Sequence, residues 1–362
     1  MIESIGEEAF NFQDERFADI QMLRYRLPDF ESLTIRQKQL IYCLSEATLF
    51  GRDITFDQFG KYNLRIRKTL EAVYLNFNGD RLEHNFRALE EYLKHVWFAS
   101  GIYHHYACDK FSPLFTEDFF RNEVLVIDSK LLPLNDGESV TSLLNELCPV
   151  IFDPTILPKR VDKADGKDIV RSSACNYYDG VSQHEVEEFY AKLKKDGPTN
   201  EAPSYGLNST LVKEGDSIRE DVWKIGGKYS AAIEKIVYWL NRAKDFVEND
   251  QQLHVINLLI RYYETGDLHD FDIYSIEWLR EQEGRIDFIN GFIEVYGDPM
   301  GLKGSWEGIV EYKDLEATHR TQAISANAQW FEDHSPVDPQ FRKAIVKGVT
   351  ANVICAAMLG GD

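Results

Sequence analysis

The sequence predicts an α+β fold with helix in excess: a mostly helical lobe with a small mixed or antiparallel β-sheet or barrel that contains the strands of 285–312. Apolar residues recur at three and four spacing through segment after segment of the first 150 residues, the signature of amphipathic helices. Two runs rich in Ile, Val and aromatics, Arg285 to Tyr296 and Ser305 to Tyr312, flank a Gly/Pro-rich loop of eight residues, the signature of paired strands. With 362 residues the chain exceeds what one hydrophobic core usually organises.

In chain order, Gln37 to Leu49, Leu64 to Leu75 and Phe86 to Phe98 each present one apolar stripe, and Gly51-Arg-Asp and Asn78-Gly-Asp fall between them as connectors. Beyond Pro154 the texture becomes polar. Ile169 to Cys175 reads as a strand and Asn176-Tyr-Tyr-Asp-Gly as a turn. Ser182 and Glu185 form a capping box at a helix start, and Lys194 to Asn208 is a loop. Helical patterning returns at Tyr229 to Val247, where Ile233, Ile236, Val237 and Leu240 make one stripe, and continues through Leu253 to Tyr263 and Tyr274 to Arg280. After the two strands, Leu315 to Phe331 reads as a polar helix and Pro339 to Leu359 as an increasingly apolar one.

Sixty Asp and Glu against 40 Lys and Arg leave a net charge of −20. That field repels phosphate backbones and anionic lipid and attracts cations, so neither nucleic acid nor a membrane surface is an expected partner. Five cysteines, odd in number and far apart, are not a disulfide framework or a zinc ribbon, and a reducing cytoplasmic setting is expected. The acidic start lacks the features of a secretory signal, and the apolar stretch Gly348 to Gly361 is too short to span a bilayer. The chain stops directly behind that stretch, an ending expected of a chain cut inside a core.

His184-Glu185 has Glu188 where a zinc helix would carry its second histidine. His104, His105 and Cys108 are possible metal ligands by type, but adjacent residues do not face one point. The most chemical content lies in Glu294-Val-Tyr-Gly-Asp-Pro-Met-Gly-Leu-Lys-Gly-Ser-Trp-Glu307. The two-residue strand period puts Glu294 and Tyr296 on one face, and a symmetric hairpin would set Glu294 directly opposite Glu307. Opposed carboxylates destabilise a strand pair unless a cation lies between them. An ammonium or a divalent ion would relieve the repulsion, while Tyr296 supplies a hydroxyl donor. A pair of solvated glutamates is the alternative, and a register slip of one residue would separate them.

The same segment resembles the substrate-recognition stretch of the dipeptidyl peptidase III family of zinc metallopeptidases, through Gly291-Phe-Ile-Glu294-x-Tyr296-x-Asp298-Pro299-x-Gly301-x-x-Gly304-x-x-Glu307-Gly308. Supporting stretches are Asn63 to Glu71, Gly101 to Phe111, Ser173 to Gly180 and Ile233 to Ala243, and the N-terminal helices resemble a bacterial branch. The resemblance implies a two-lobed cytoplasmic enzyme that releases dipeptides from the free N-termini of short peptides. Glu294 and Glu307 would hold the substrate ammonium, Tyr296 would donate to the scissile carbonyl, and Tyr106 would line the cleft. The family's zinc motif, two histidines separated by four residues with a glutamate after the first, does not occur between Met1 and Asp362. By family order the zinc ligands and the catalytic lobe would follow in cis, so the chain alone is expected to be inactive. Residues 1–312 would form the lower, substrate-recognising lobe, helical over 1–150 and α+β over 151–312. Residues 313–362 would hold a crossing helix and the truncated start of the upper lobe. The competing expectation is a stand-alone helical module that captures peptides or a partner without catalysis.

Overall fold

The computed structural model describes residues 10–197, 203–347 and 352–361. A hairpin of β1 (Gln13–Phe17) and β2 (Ile20–Leu23) precedes six helices: α1 (Ile35–Leu49), α2 (Arg52–Gln58), α3 (Asn63–Asn76), α4 (His84–Phe98), α5 (Glu117–Val126) and α6 (Val140–Phe152). Side chains that accept from otherwise unpaired first-turn N–H groups set several starts: Thr34 with Gln37 at α1, Glu83 at α4, Thr116 at α5 and Ser139 at α6. The stripes read from the sequence in α3 and α4 pack with α5 and α6 over one core, in which Ile66, Leu70, Leu89, Leu93, Phe120, Leu143 and Leu147 are buried.

Where Ile169 to Cys175 reads as a strand, the structure has one helical turn, α7 (Ile169–Ser172). The reason is local: Asp168 accepts from the amides of Val170 and Arg171 at 3.1 and 3.0 Å, which coils the chain. After β3 (Tyr178–Asp179), helix α8 (Gln183–Asp196) starts on the expected capping box of Ser182 and Glu185. Strands β4 (Ser209–Glu214) and β5 (Ser217–Val222) pair antiparallel around Gly215, whose φ of 61° suits glycine, and β3 runs parallel to β4. Three helices follow, α9 (Ser230–Ala243), α10 (Asp250–Thr265) and α11 (Leu268–Arg280), with Gly266 at φ 70° ending α10.

The strands expected near 285–312 form as β6 (Ile286–Glu294) and β7 (Ser305–Lys313). The polar helix after them breaks at Asn327 into α12 (Leu315–Ala326) and α13 (Ala328–Asp333). The apolar helix expected over Pro339 to Leu359 is instead β8 (Ile354–Gly360), paired antiparallel with β7 in a sheet ordered β6-β7-β8; residues 348–351 of that run lie outside the described residues. Hydrogen bonding along β7 decides this segment, overriding the helix preference of its alanines. Two sheets of three strands and one of two make an α+β fold, and no closed barrel occurs among the described residues.

One face of β6-β7 buries Phe288, Phe292, Trp306, Val310 and Tyr312 in a core shared with α1, α9 and α10. Helix α1 and the turn that follows it can lie this close to the sheet because glycines stand at the contacts. A Cβ at Gly51 would fall 2.2 Å from the Trp306 ring, and one at Gly360 would fall 2.6 Å from the Thr48 methyl. On the opposite face, Asp287 and Glu311 are direct cross-strand partners. Burial, and then the neighbouring Asp287, push the Glu311 carboxyl from 4.5 up to about 7.

A pH signature follows from Glu311. Below about pH 4.5 it is protonated folded or unfolded, so it brings no penalty. Between about 4.5 and 7 only the folded state keeps the proton, so the Glu311 contribution to stability falls as pH rises and is constant above that window. Glu311→Gln should therefore stabilise the protein above pH 7 and match wild type near pH 4 in urea denaturation. A difference of constant size across pH would exclude this origin.

Candidate functional site

The two strands are joined by residues 295–304, and β6 and β7 do not meet in the symmetric register. Gly291 pairs with Glu307 and Phe292 with Trp306, but Glu294 pairs with Ser305, so one extra residue is accommodated between Phe292 and Glu294. Direct opposition of Glu294 and Glu307 is thus corrected to a diagonal one. The bulge has a second effect. Without it Glu294 would alternate onto the buried Phe292 face; with it, Glu294 shares the face of Ser305 and Glu307. Diagonal neighbours lie about 7–8 Å apart at Cα, a separation from which two long carboxylate side chains can converge on one cation. Gly291, opposite Glu307, adds no side chain to crowd it. The Glu294 carbonyl is fixed by the Ser305 hydroxyl at 3.1 Å.

Asp298 shapes the connecting loop. It is fully buried. Its Oδ1 accepts from the Met300 amide at 3.1 Å, and its Oδ2 accepts from the Leu302 and Lys303 amides at 2.8 and 2.9 Å and from the Tyr178 hydroxyl at 2.8 Å. Lys303 is fully buried too, donating to the Tyr190 hydroxyl and to Ser209 Oγ at 2.9 Å, with Glu220 at 3.7 Å. Burial brings its ammonium down to about 8, against the opposing pull of Glu220 and Asp298. Gln58 in α2 clamps the start of β7, donating to the Gly304 carbonyl at 3.0 Å and accepting from the Trp306 amide at 2.8 Å. The loop between the two glutamates is therefore rigidly tied to α2, β3, α8 and β4.

Tyr296 stands 58% exposed at this loop's start. It lines a cleft of about 570 Å³ together with Tyr106, Phe59, Phe98, His105 and Arg160, and Gly361 forms part of the wall. Tyr106 is 86% exposed, on a turn in which His104 Nδ1 accepts from the Tyr106 and Ala107 amides at 3.2 and 3.0 Å. The structure thus brings Tyr106 and Tyr296, 190 positions apart in sequence, to one cleft. Glu294 and Glu307 do not line it. A Cβ at Gly361 would lie 2.8 Å from Glu307 Cα, so the Glu307 strand passes directly behind the cleft wall.

Sequence reasoning quoted Asp298 only as part of the motif, without its role in the loop, and missed Lys303, Gln58 and Arg160. An aspartate two to five residues before three loop amides is a recognisable turn device, but nothing local marks Lys303 or Gln58 as buried. His104 and His105 stack at 4.5 Å and Cys108 is a free thiol. Among the described residues no group of three or more His, Cys, Asp or Glu has the placement to hold a metal ion.

Residues 183–348 match Peptidase family M49. Several of the curated relatives are dipeptidyl peptidases. The chain is 21% identical over 289 residues to dipeptidyl peptidase 3 of Nematostella vectensis, covering 72% of this chain and 39% of that protein. It is 27% identical over 117 residues to dipeptidyl peptidase 3 of Dictyostelium discoideum, covering 32% of this chain and 17% of that protein. In fold it is similar to dipeptidyl peptidase III of Caldithrix abyssi, with a TM-score of 0.63 at 15% identity over 92% of this chain and 50% of that one. The chain spans half or less of the length of these relatives.

Proposed function

We propose that this chain is the substrate-recognising part of a dipeptide-releasing exopeptidase, in which Glu294 and Glu307 hold the N-terminal ammonium of a short peptide and Tyr296 donates to the scissile carbonyl. The observation that carries the reading is the bulge, which sets both glutamates on one face of the hairpin whose next turn presents Tyr296 to a cleft. Two anions suit one ammonium, and a phenol donor suits a carbonyl oxygen that gains negative charge during hydrolysis. The net charge of −20 draws a cationic terminus toward this surface.

Residues 1–312 are proposed as the recognition lobe and 313–362 as the passage into a catalytic lobe, in a cytoplasmic protein. Among the described residues no helix is long and apolar enough to cross a membrane. The zinc that the resemblance implies does not fit the described side chains, which offer no ligand group, so no step is assigned through a metal. This chain by itself is proposed to bind peptides without cleaving them.

Calorimetric titration tests the ammonium pocket. Tetra-alanine amide with a free amine should bind about tenfold more tightly than its N-acetylated form, and Glu294→Gln or Glu307→Gln should each weaken the free-amine peptide by about that factor. Equal binding of the two peptides by the wild-type protein would refute the pocket.

A further inference from the structure

Arg160 is 5% exposed, yet it lines the cleft that holds Tyr296 and Tyr106. Its guanidinium lies 4.3 Å from the Phe59 ring centre, and Nη2 donates to the His105 carbonyl at 3.0 Å and reaches Cys108 Sγ at 4.0 Å. Its Nε is buried with no hydrogen-bond partner. The nearby Lys159 and Lys167 pair with Asp109 and Asp162, but no described carboxylate pairs with Arg160. The other buried charges are compensated: Asp162 by Lys167, Asp270 by Arg261, and Lys303 by Glu220 and Asp298. Among the buried charged side chains described, Arg160 stands apart in having no opposite charge paired with it. Leaving a cation buried without a counter-charge is unfavourable, and a planar guanidinium over an aromatic ring is a recurring recognition unit for carboxylates.

We propose that Arg160 is a subsite residue for a peptide carboxylate, supplied by the C-terminus of a short peptide or by an acidic side chain. The inference rests on the reading of the cleft as a peptide site and deepens it. Glu294 and Glu307, beside the cleft, take the positive end, and Arg160, within it, takes a negative group. Opposite charges at two stations fix the direction in which a peptide lies and favour short zwitterionic ligands over neutral ones. The cleft volume of about 570 Å³ is in the range of sites for small ligands.

The test is titration at low ionic strength with two matched pairs, all with free amines: tetra-alanine against its C-terminal amide, and Ala-Ala-Glu-Ala amide against Ala-Ala-Gln-Ala amide. At least one charged peptide should bind about tenfold more tightly than its neutral partner. The pair that shows the preference identifies the source of the carboxylate. Arg160→Gln should bring that ratio to about one, Arg160→Lys should keep part of it, and raised salt should shrink it. Equal affinity within both pairs for the wild-type protein overturns the proposal without any variant, and so does a preference that survives Arg160→Gln. N-acetylated versions separate the two readings. A carboxylate preference that persists when the amine makes no difference upholds Arg160 and removes the ammonium pocket. An amine preference with no carboxylate preference does the reverse, and absence of binding by all four peptides overturns both.

Discussion

Asp298→Ala is expected to destabilise the protein by about 3–5 kcal/mol, the range for removing one partner from a buried, fully satisfied polar group. The carboxylate is completely buried and accepts from the amides of Met300, Leu302 and Lys303 and from the Tyr178 hydroxyl. Alanine would strand all four donors away from water and also take a negative charge from the surroundings of the buried Lys303 ammonium. Asp298→Asn, which keeps the shape but exchanges one acceptor oxygen for an amide group, should fall between wild type and alanine. Urea denaturation measures both. A loss below about 1 kcal/mol for Asp298→Ala would show that the loop can satisfy its amides in another way. Peptide binding should fall with the same variant even where it remains folded, because this loop sets the spacing of Glu294, Tyr296 and Glu307.

Tyr296→Phe should leave stability within about 0.5 kcal/mol of wild type, since the side chain is 58% exposed, and should act on turnover instead. If the phenol donates to the developing oxyanion, its loss in the protein with its catalytic lobe should lower kcat by about 10²- to 10³-fold with KM little changed. A rise in KM at constant kcat would assign Tyr296 to ground-state binding, and an undiminished kcat would remove its catalytic role. Glutamine at 294 or 307 should act mainly on binding, so the three variants together separate holding the amine from stabilising the reacting carbonyl.

Helix periodicity is a local property, and it was legible. The stripe Ile233, Ile236, Val237 and Leu240 is buried as its spacing requires. The strands around 285–312 were legible for a similar reason, since β-branched and aromatic residues dominate them. What failed depended on partners distant in sequence. Ile354–Gly360 contains alanines suited to a helix, and only its pairing with β7 makes it a strand. The hairpin of β4 and β5 was not anticipated, although Gly215 marks its turn. For the candidate site, residue types and their shared hairpin were readable, but the register was not, because a bulge leaves no fixed mark in the sequence. The burial of Lys303 and Arg160 follows from packing by segments far along the chain, which no short motif encodes.

The bulge also governs which changes of length the site can survive. Deleting Ile293 would leave Glu294 opposite Ser305 by plain alternation but would remove the bend and added twist with which the strand runs on toward Tyr296. A second insertion would carry Tyr296 away from its cleft. Substitutions along β6 can therefore be exchanged more freely than residues can be gained or lost, and among related hairpins strand length should vary less than side-chain identity between Phe292 and Tyr296.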